Sequence, residues 1–241
     1  MDNKLLSDQY YQALKDLDTV YLDPQRQPKG LSGLFLPGVS DNYHLAKNKI
    51  MIVGRETRAW NVVREGQFSN LENYIATAMN THQHFFKGQL DKKNTKGRAF
   101  HNFTRSIAKK CGKEGLVYAN LFCFSWNKKN PARAGSYFKE IKKYSKILLK
   151  IQIQTLKPQI IIFANGAATV KYRREFFPVD GPNSVCKSVL DCTSGQIPNR
   201  QLWEFELYES IRCFRINHPS SRNKDSAKAR NFLINNLLPP E

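Results

Sequence analysis

The sequence contains no pair of closely spaced cysteines. No CxxC motif occurs, and the cysteines are odd in number and widely spaced: Cys111, Cys123, Cys186, Cys192 and Cys213. Zinc and iron–sulfur centres require clustered thiolate or imidazole ligands, so neither kind of metal site is expected. The cysteines are instead expected to be buried free thiols.

Long apolar runs are also missing. The stretch MDNKLLSDQYYQ at the start is polar and acidic and lacks the apolar core of a signal peptide, and no run is long enough to span a bilayer. No amphipathic segment carries Lys and Arg on one face and bulky apolar residues on the other, as membrane-surface helices do. We therefore expect a cytoplasmic protein with no membrane partner.

Several well-known enzyme motifs and all internal repeats are absent. The chain has no P-loop, no GxSxG and no GxGxxG sequence, which argues against an unrelated α/β hydrolase acting on a nucleotide. The 241 residues fit one domain, with two small ones possible. We predict a single domain over 1–241, with an N-terminal helix and loop at 1–47 and an irregular insertion at 181–201, and we expect a monomer.

Acidic residues are few relative to basic ones. Lys and Arg number 38 against 20 Asp and Glu, which gives a net charge of +18. Such an excess indicates a polyanionic partner, with nucleic acid as the leading candidate, although a well-solvated basic surface is the simpler alternative. Hydrophobic residues make up 41% of the chain and aromatic residues 12%, which is enough for a core and argues against disorder.

Apolar runs alternate with helical patterns along the chain. Strands are predicted at 50–53, 116–121 and 160–163, helices at 4–18, 71–84, 100–110, 136–156 and 226–238, and a hairpin-like pair at LWEFELY and RCFRI. Strands that are nearly all apolar and alternate with helices are typical of a mostly parallel sheet covered on both faces. In such sheets the functional residues collect in loops at the carboxyl ends of strands.

Four predicted loops of this kind hold residues with useful chemistry. They contain Gly54, Arg55 and Glu56 after the first strand, Asn120 after the second, Asn165 and Gly166 after the third, and Asn217, His218, Pro219 and Ser220 after the last. Together they provide one carboxylate, one histidine, several carboxamides and a hydroxyl.

The segments VGRET, ANLF, PQIIIFANG and NHPSS follow one another along the chain, each at the end of a predicted strand. Their order and approximate spacing resemble the uracil-DNA glycosylase superfamily. The first motif of that superfamily has forms such as GQDPYH or GxNPG, and the last is HPS, often HPSP. The resemblance covers about residues 48–238. HPS alone is a weak signal, but its position after an apolar strand with the other three segments upstream is fairly specific.

The resemblance implies a fold, a reaction and a set of roles. The fold would be a three-layer α/β/α sandwich around a four-stranded parallel sheet, with the additional strand pair as an insertion or edge. Glu56 stands at the position of the aspartate in GQDPYH, Asn120 at that of the asparagine that reads the base edge, and His218 at that of the histidine in HPS. The partner would be DNA, and no metal or organic cofactor is expected.

The chemistry of glycosidic bond hydrolysis explains these residue types. Positive charge develops on the sugar, where Glu56 would stabilise it or orient a water, and negative charge develops on the base, where His218 would donate to O2 of a pyrimidine. The carboxamide of Asn120 can read a base edge, and an aromatic ring, Phe68 or Trp60, would stack on the extruded base.

Further residues are assigned to the base and to the DNA backbone. Arg58 and Asn217 are placed at the base, and Arg58 also suits a phosphate. Contacts with DNA are assigned to Gly166, Ser220, Ser221, Arg222 and Lys224.

Each assignment has a simpler alternative. Glu56 can instead be a surface carboxylate paired with Arg55 or Arg58, and His218 a structural histidine before a rigid proline turn. Asn120 can cap a turn, the two aromatic residues can belong to the core, and RNKDSAKAR can be a solvated helix start.

The sequence also departs from the family pattern. Arg58 stands where the tyrosine of GQDPYH forms a wall against substituents at pyrimidine C5, and Arg222 or Asn223 stands where the wedge leucine would be. These changes favour a roomier pocket, which the polar loop at 86–98 and the insertion at 181–201 would line.

Some members of the superfamily look like phage-defence enzymes. The preferred hypothesis is therefore excision of a 5-substituted cytosine, such as the glucosylated hydroxymethylcytosine of phage DNA. Uracil or deaminated-base repair and a non-catalytic nucleic-acid-binding module are the alternatives.

Overall fold

The structure is a computed structural model that describes residues 2–188, 191 and 193–241. Its helices are α1 (Asp2–Leu14), α2 (Leu71–Leu90), α3 (Ala99–Cys111), α4 (Phe138–Leu156), α5 (Val170–Phe176) and α6 (Lys224–Phe232), the last continued by a π-helical turn, Leu233–Leu237. Its strands are β1 (Ile50–Gly54), β2 (Leu116–Asn120), β3 (Ile160–Phe163), β4 (Cys186–Ser188), β5 (Leu202–Leu207) and β6 (Ile211–Ile216). Short 3-10 turns lie at Thr19–Tyr21, Tyr43–Leu45, Pro131–Arg133, Gly135–Tyr137 and Ala167–Thr169.

The chain divides into two compact units. The first unit comprises Met1–Asp41, Arg55–Phe86 and Ala119–Lys157, and the second comprises Asn42–Gly54, Lys87–Tyr118 and Pro158–Glu241. In the first unit, α1 packs against α4. Helix α1 buries Leu6, Tyr10 and Leu14, one residue per turn, so a single apolar stripe holds it in place.

A six-stranded sheet forms the framework of the second unit, with the strand order β2-β1-β3-β6-β5-β4. Strand β1 pairs with β3 in parallel, and β3 pairs with β6 in parallel, with Val53 beside Phe163 and Phe163 beside Arg215. Strands β5 and β4 extend the sheet in antiparallel fashion. All residues of β1 and β3 are buried, which explains their uninterrupted apolar sequences. Strands β1, β3 and β6 therefore end at the same edge.

The predicted mixed α/β class is confirmed, but the prediction of four strands is wrong because the sheet has six. The segments LWEFELY and RCFRI do form an antiparallel pair, β5 and β6. However, β6 also pairs in parallel with β3, so it is not part of an added edge. Helix α2 extends to Leu90, beyond its predicted end at residue 84, and helix α5 was not predicted.

The segment 181–201, which we predicted to be irregular, contains the short strand β4. Val189, Leu190 and Cys192 of this segment lie outside the described residues. Three of the predicted buried free thiols are confirmed, namely Cys111, Cys123 and Cys213, whereas Cys186 is half-buried. Burial raises the pKa of Cys111 to about 11 and that of Cys123 to about 12, so neither thiol is a reactive thiolate near neutral pH.

None of the helices in the described ranges combines the length and the apolar character needed to cross a bilayer.

Candidate active site

The first predicted site residue, Glu56, is buried and paired. Strand β1 ends at Gly54, and the chain bends at Arg55. The Arg55 guanidinium then donates from Nε to Oε2 of Glu56 at 2.5 Å and from Nη2 to Oε1 at 2.7 Å. The Glu56 side chain is only 2% exposed, and hydrogen bonding to it raises the pKa of Arg55. The alternative of an Arg55 ion pair is thus correct, but the carboxylate does not lie on the surface.

Asn120 is connected to the loop that carries Glu56. It is the last residue of β2 and is 5% exposed. Its amide Nδ2 donates to the hydroxyl of Thr57, the residue after Glu56. Two residues further on, the backbone N–H of Phe122 donates to the carbonyl of Arg55 at 3.0 Å. The structure therefore brings together two of the predicted loops, those after β1 and β2, within the first unit.

The two candidate stacking residues differ in their surroundings. Trp60 is 6% exposed and meets Phe35 and Phe85 edge-on, with ring centroids 5.0 Å and 5.5 Å away. Its indole N–H has no hydrogen-bond acceptor within the described part of the chain. These contacts favour the core alternative for Trp60. Phe68 is half-buried, with its ring 6.0 Å from Tyr74, so it retains an exposed part that could contact a base.

Arg58 is exposed. It lies two residues after Glu56, at the place where the family pattern has a wall tyrosine. A long flexible cation at the surface can move away from a substituent, whereas a packed aromatic ring cannot. The exposure of Arg58 is therefore consistent with an unobstructed approach to pyrimidine C5.

In the second unit, His218 follows the end of β6 and is half-buried. Its Nδ1 lies 2.7 Å from the hydroxyl of Ser220 and accepts from the backbone N–H of Ser220 at 3.2 Å. An amide N–H can only donate, so Nδ1 carries no proton in this arrangement and the neutral imidazole holds its proton on Nε2. The ring is also stacked on Phe100, with centroids 6.0 Å apart and an interplanar angle of 25°. In this tautomer Nε2 is the hydrogen-bond donor of the ring.

Gly166 permits the close approach of the loops after β3 and β6. Its φ is +77°, and a Cβ at this position would lie 3.4 Å from both Cβ and N of His218. The Thr169 hydroxyl donates to the carbonyl of Asn165 at 3.1 Å, which holds the same turn from the other side. The position explains why glycine is suitable here, and the predicted DNA contact of Gly166 stays a prediction.

Asn217 takes part in a polar network inside the second unit. Its Nδ2 donates to Oε1 of Gln201 at 2.7 Å and to the hydroxyl of Ser226 at 3.1 Å. The Ser221 hydroxyl also donates to that of Ser226, at 3.2 Å. Asn217 and Ser221 therefore connect the end of β6 to the start of α6, and their assigned contacts with a base and with DNA stay predictions.

The exposed residues around the start of α6 have the chemistry of a phosphate contact. Ser220, Arg222 and Lys224 are exposed, and Asn223 caps the helix by accepting from the N–H of Asp225 at 2.8 Å. Hydroxyls, cations and a helix N-terminus each favour an anion. The predicted contacts of these residues with a DNA backbone stay predictions.

Asn165 is a polar residue to which the sequence pattern assigned no role. It is 2% exposed, and among the described residues neither its amide oxygen nor its amide nitrogen has a hydrogen-bond partner. A buried amide without partners costs about 1–3 kcal/mol, so this group requires an explanation. The only signal in the sequence was a carboxamide next to a glycine after a buried strand.

No protein-family model matches the chain, and no curated protein is similar to it at a significant level. The resemblance to the uracil-DNA glycosylase superfamily therefore rests on the four sequence motifs and stays a prediction.

Proposed function

We propose that the protein is a DNA glycosylase of the uracil-DNA glycosylase type. It hydrolyses the N-glycosidic bond of a flipped-out 5-substituted pyrimidine, most simply a glucosylated hydroxymethylcytosine of phage DNA, and leaves an abasic site. The proposal includes the three-layer α/β/α arrangement of that superfamily, a cytoplasmic monomer and DNA as the partner. The observation that carries it is the buried, doubly hydrogen-bonded carboxylate of Glu56 directly after a central strand.

The role of Glu56 follows from its surroundings. A carboxylate that is buried and bonded through both oxygens has a fixed orientation, which is what charge stabilisation at an anomeric carbon requires. The two hydrogen bonds from the Arg55 guanidinium supply this orientation. In the proposed reaction Glu56 stabilises the positive charge on the sugar and orients the attacking water.

The role of His218 follows from its tautomer. With Nδ1 accepting from the backbone N–H of Ser220, the ring carries its proton on Nε2. A donor directed at O2 of a departing pyrimidine stabilises the negative charge that develops there, by about 2.7–4 kcal/mol in comparable oxyanion sites. His218 thus assists the departure of the base without changing its own protonation.

An excision assay tests the proposal directly. Matched duplexes carry uracil, 5-hydroxymethylcytosine or its glucoside at one position, and abasic sites are detected by alkaline strand cleavage. We expect cleavage at the glucosylated base in preference to the other two. Release of uracil alone would identify a repair enzyme instead, and the modified-base hypothesis would be lost.

The non-catalytic alternative is separated by a matched pair of variants. Glu56→Gln removes the buried carboxylate, whereas Glu65→Gln changes an exposed glutamate of the same loop region. We expect Glu56→Gln to lower the excision rate by about 100- to 1,000-fold while DNA affinity is kept or raised, and Glu65→Gln to behave as the wild type. DNA binding without abasic sites on any of the three duplexes would identify a binding module.

A further inference from the structure

A cavity of about 420 Å³ opens in the first unit, close in sequence to Glu56. Three segments of the chain line it. They contribute residues 30–32, then Ala59 and Asn61, and finally Ser125, Asn127 and Lys128. Small-molecule sites occupy roughly 300–1,000 Å³, so this cavity suits a ligand at the lower end of that range. The cavity is not part of any motif that the sequence pattern indicated.

Backbone hydrogen bonds join the three segments into a preformed wall. The N–H of Asn127 donates to the carbonyl of Gly30 at 2.7 Å, and that of Ser32 donates to the carbonyl of Ser125 at 3.1 Å. Next to the lining residues, the N–H of Gly33 donates to the carbonyl of Trp60 at 2.7 Å. When the segments around a site are already connected by hydrogen bonds, binding of a ligand costs little additional conformational entropy.

Unusual backbone conformations concentrate at this cavity. Ala59, Asn127 and Lys128 all have positive φ, at 50°, 48° and 58°, although none of them is a glycine. Gly30, also at positive φ, leaves room for Asn127, because a Cβ there would overlap the Asn127 amide oxygen. Left-handed non-glycine residues cost of order 1–3 kcal/mol each and cluster at ligand sites. Their concentration here favours a functional role for the cavity.

The lining has the chemistry of a site for a hydroxyl-rich group. The lining residues include Asn61, Asn127 and Lys128 together with Ser32 and Ser125, and no carboxylate is among them. The Ser32 hydroxyl already donates to the carbonyl of Gly33 and accepts from the N–H of Ser125. Ser125 is 1% exposed, and its hydroxyl has no partner in the part of the chain that the structure describes. Carboxamides and hydroxyls both donate and accept, so they match the mixed pattern of a sugar.

The distance along the chain relates the cavity to the proposed chemistry. Ala59, a lining residue, comes three residues after Glu56, so their Cα atoms are at most roughly 11 Å apart. A base held near Glu56 can therefore extend a linked substituent towards the cavity. We propose that this cavity binds the hexosyl group carried by C5 of the excised pyrimidine. The inference rests on the proposed function and names the part of the substrate that the first unit recognises.

Two asparagine variants test this inference. Asn61→Trp fills the cavity from an exposed position, and Asn80→Trp makes the same change at an exposed site of α2 away from the cavity. Affinity is measured by fluorescence anisotropy for duplexes with and without the glucosyl group, a comparison that needs no catalysis. We expect the wild type and Asn80→Trp to prefer the glucosylated duplex by about tenfold or more, and Asn61→Trp to lose this preference.

The outcomes separate the cavity from the reaction. The hexosyl site is rejected if the wild type binds the duplexes with and without the glucosyl group equally well. It is also rejected if the two variants show the same preference for the glucosylated duplex, even if excision occurs. A preference that Asn61→Trp alone abolishes supports the site, and in that case the absence of abasic products would reject only the proposed function. Asn61→Leu, a smaller change, replaces the tryptophan variant if thermal unfolding shows that the latter does not fold.

Discussion

Arg55 binds both carboxylate oxygens of the residue that follows it, Glu56, at 2.5 Å and 2.7 Å. Neighbouring side chains in a strand point to opposite faces, so this contact requires the chain to leave the strand after Gly54, as it does with a bend at Arg55. The glycine that ends β1 and the ion pair are therefore parts of one local structure. In that structure the buried carboxylate of Glu56 is paired with the guanidinium of Arg55.

The first prediction concerns the energetics of this pair. Arg55→Met leaves the Glu56 carboxylate buried without its charged donors, and we expect the free energy of unfolding to fall by about 1.5–3 kcal/mol. The double variant Arg55→Met, Glu56→Met removes the buried charge as well and should be less destabilised than Arg55→Met alone. Urea denaturation measures all three proteins. A double variant at least as unstable as the single one would contradict the arrangement.

The second prediction concerns the tautomer of His218. His218→Ala should slow excision by about 100- to 1,000-fold, since one donor to the departing base is removed. Ser220→Ala removes the hydroxyl but keeps the backbone N–H that binds Nδ1, so we expect a smaller loss, about tenfold or less. Nitrogen-15 NMR of the imidazole should show the proton on Nε2. His84→Ala, at an exposed histidine of α2, is the control and should leave excision unchanged.

The third prediction concerns the approach of Gly166 to His218. Gly166→Ala strains a residue at φ +77° and places a methyl group 3.4 Å from the backbone of His218. Gly181→Ala has similar strain, at φ +84°, but its Cβ would meet no described atom within 4 Å. Both variants should lose of order 1–3 kcal/mol of stability. Only Gly166→Ala should also lower the excision rate, and equal rates in the two variants would show that the contact with His218 is unimportant.

The fourth prediction concerns the cations at the start of α6. The double variant Arg222→Ala, Lys224→Ala should weaken binding to all DNA sequences and lower the slope of log affinity against log salt by about one for each phosphate that is no longer neutralised. Lys4→Ala, Lys15→Ala removes two exposed charges from the region of α1 and is the control. Titrations at several salt concentrations measure both slopes. A slope that changes equally in the two proteins would assign the effect to net charge alone.

The fifth prediction concerns stability in acid. Burial, followed by the charges of Arg105, Arg98 and Lys92, lowers the pKa of His101 from 6.5 to about 4. The unfolded chain takes up this proton at a higher pH than the folded protein, so stability is lost as the pH falls from about 6.5 to about 4. His101→Gln should reduce the loss of unfolding free energy between about pH 7.5 and pH 4.5 by about 1 kcal/mol, allowing for solvent screening. Urea denaturation at both pH values tests this, and an identical loss in the variant would contradict it.

Local sequence was sufficient to predict much of the framework. The run at Ile160–Phe163 is apolar throughout, is preceded by Pro158 and is followed by Gly166, so its bounds as a strand could be predicted from neighbouring residues alone. The same reasoning located β1 and the helical patterns. It failed for α5, which has only seven residues, and for the end of α2, which continues through Gly88 to Leu90.

The candidate site was predictable only in part. The positions of Glu56, Asn120 and His218 after strand ends could be predicted from the sequence, because each of them follows a short apolar run. The partner of Glu56 could not be chosen in advance, since Arg55 and Arg58 are both within reach along the chain. The burial of Trp60 between Phe35 and Phe85 was likewise undetermined, because those rings come from segments distant in sequence.

The sequence by itself determined the class of the fold, the strong basic charge and the residues that stand at the ends of central strands, because these depend on composition and on local periodicity. The tertiary structure alone decided that β6 pairs with β3 rather than only with β5, that Asn165 is buried without partners among the described residues, and that three separate segments line one open cavity. The physical reason is that pairing, burial and enclosed volume depend on contacts between distant segments, which no local pattern specifies.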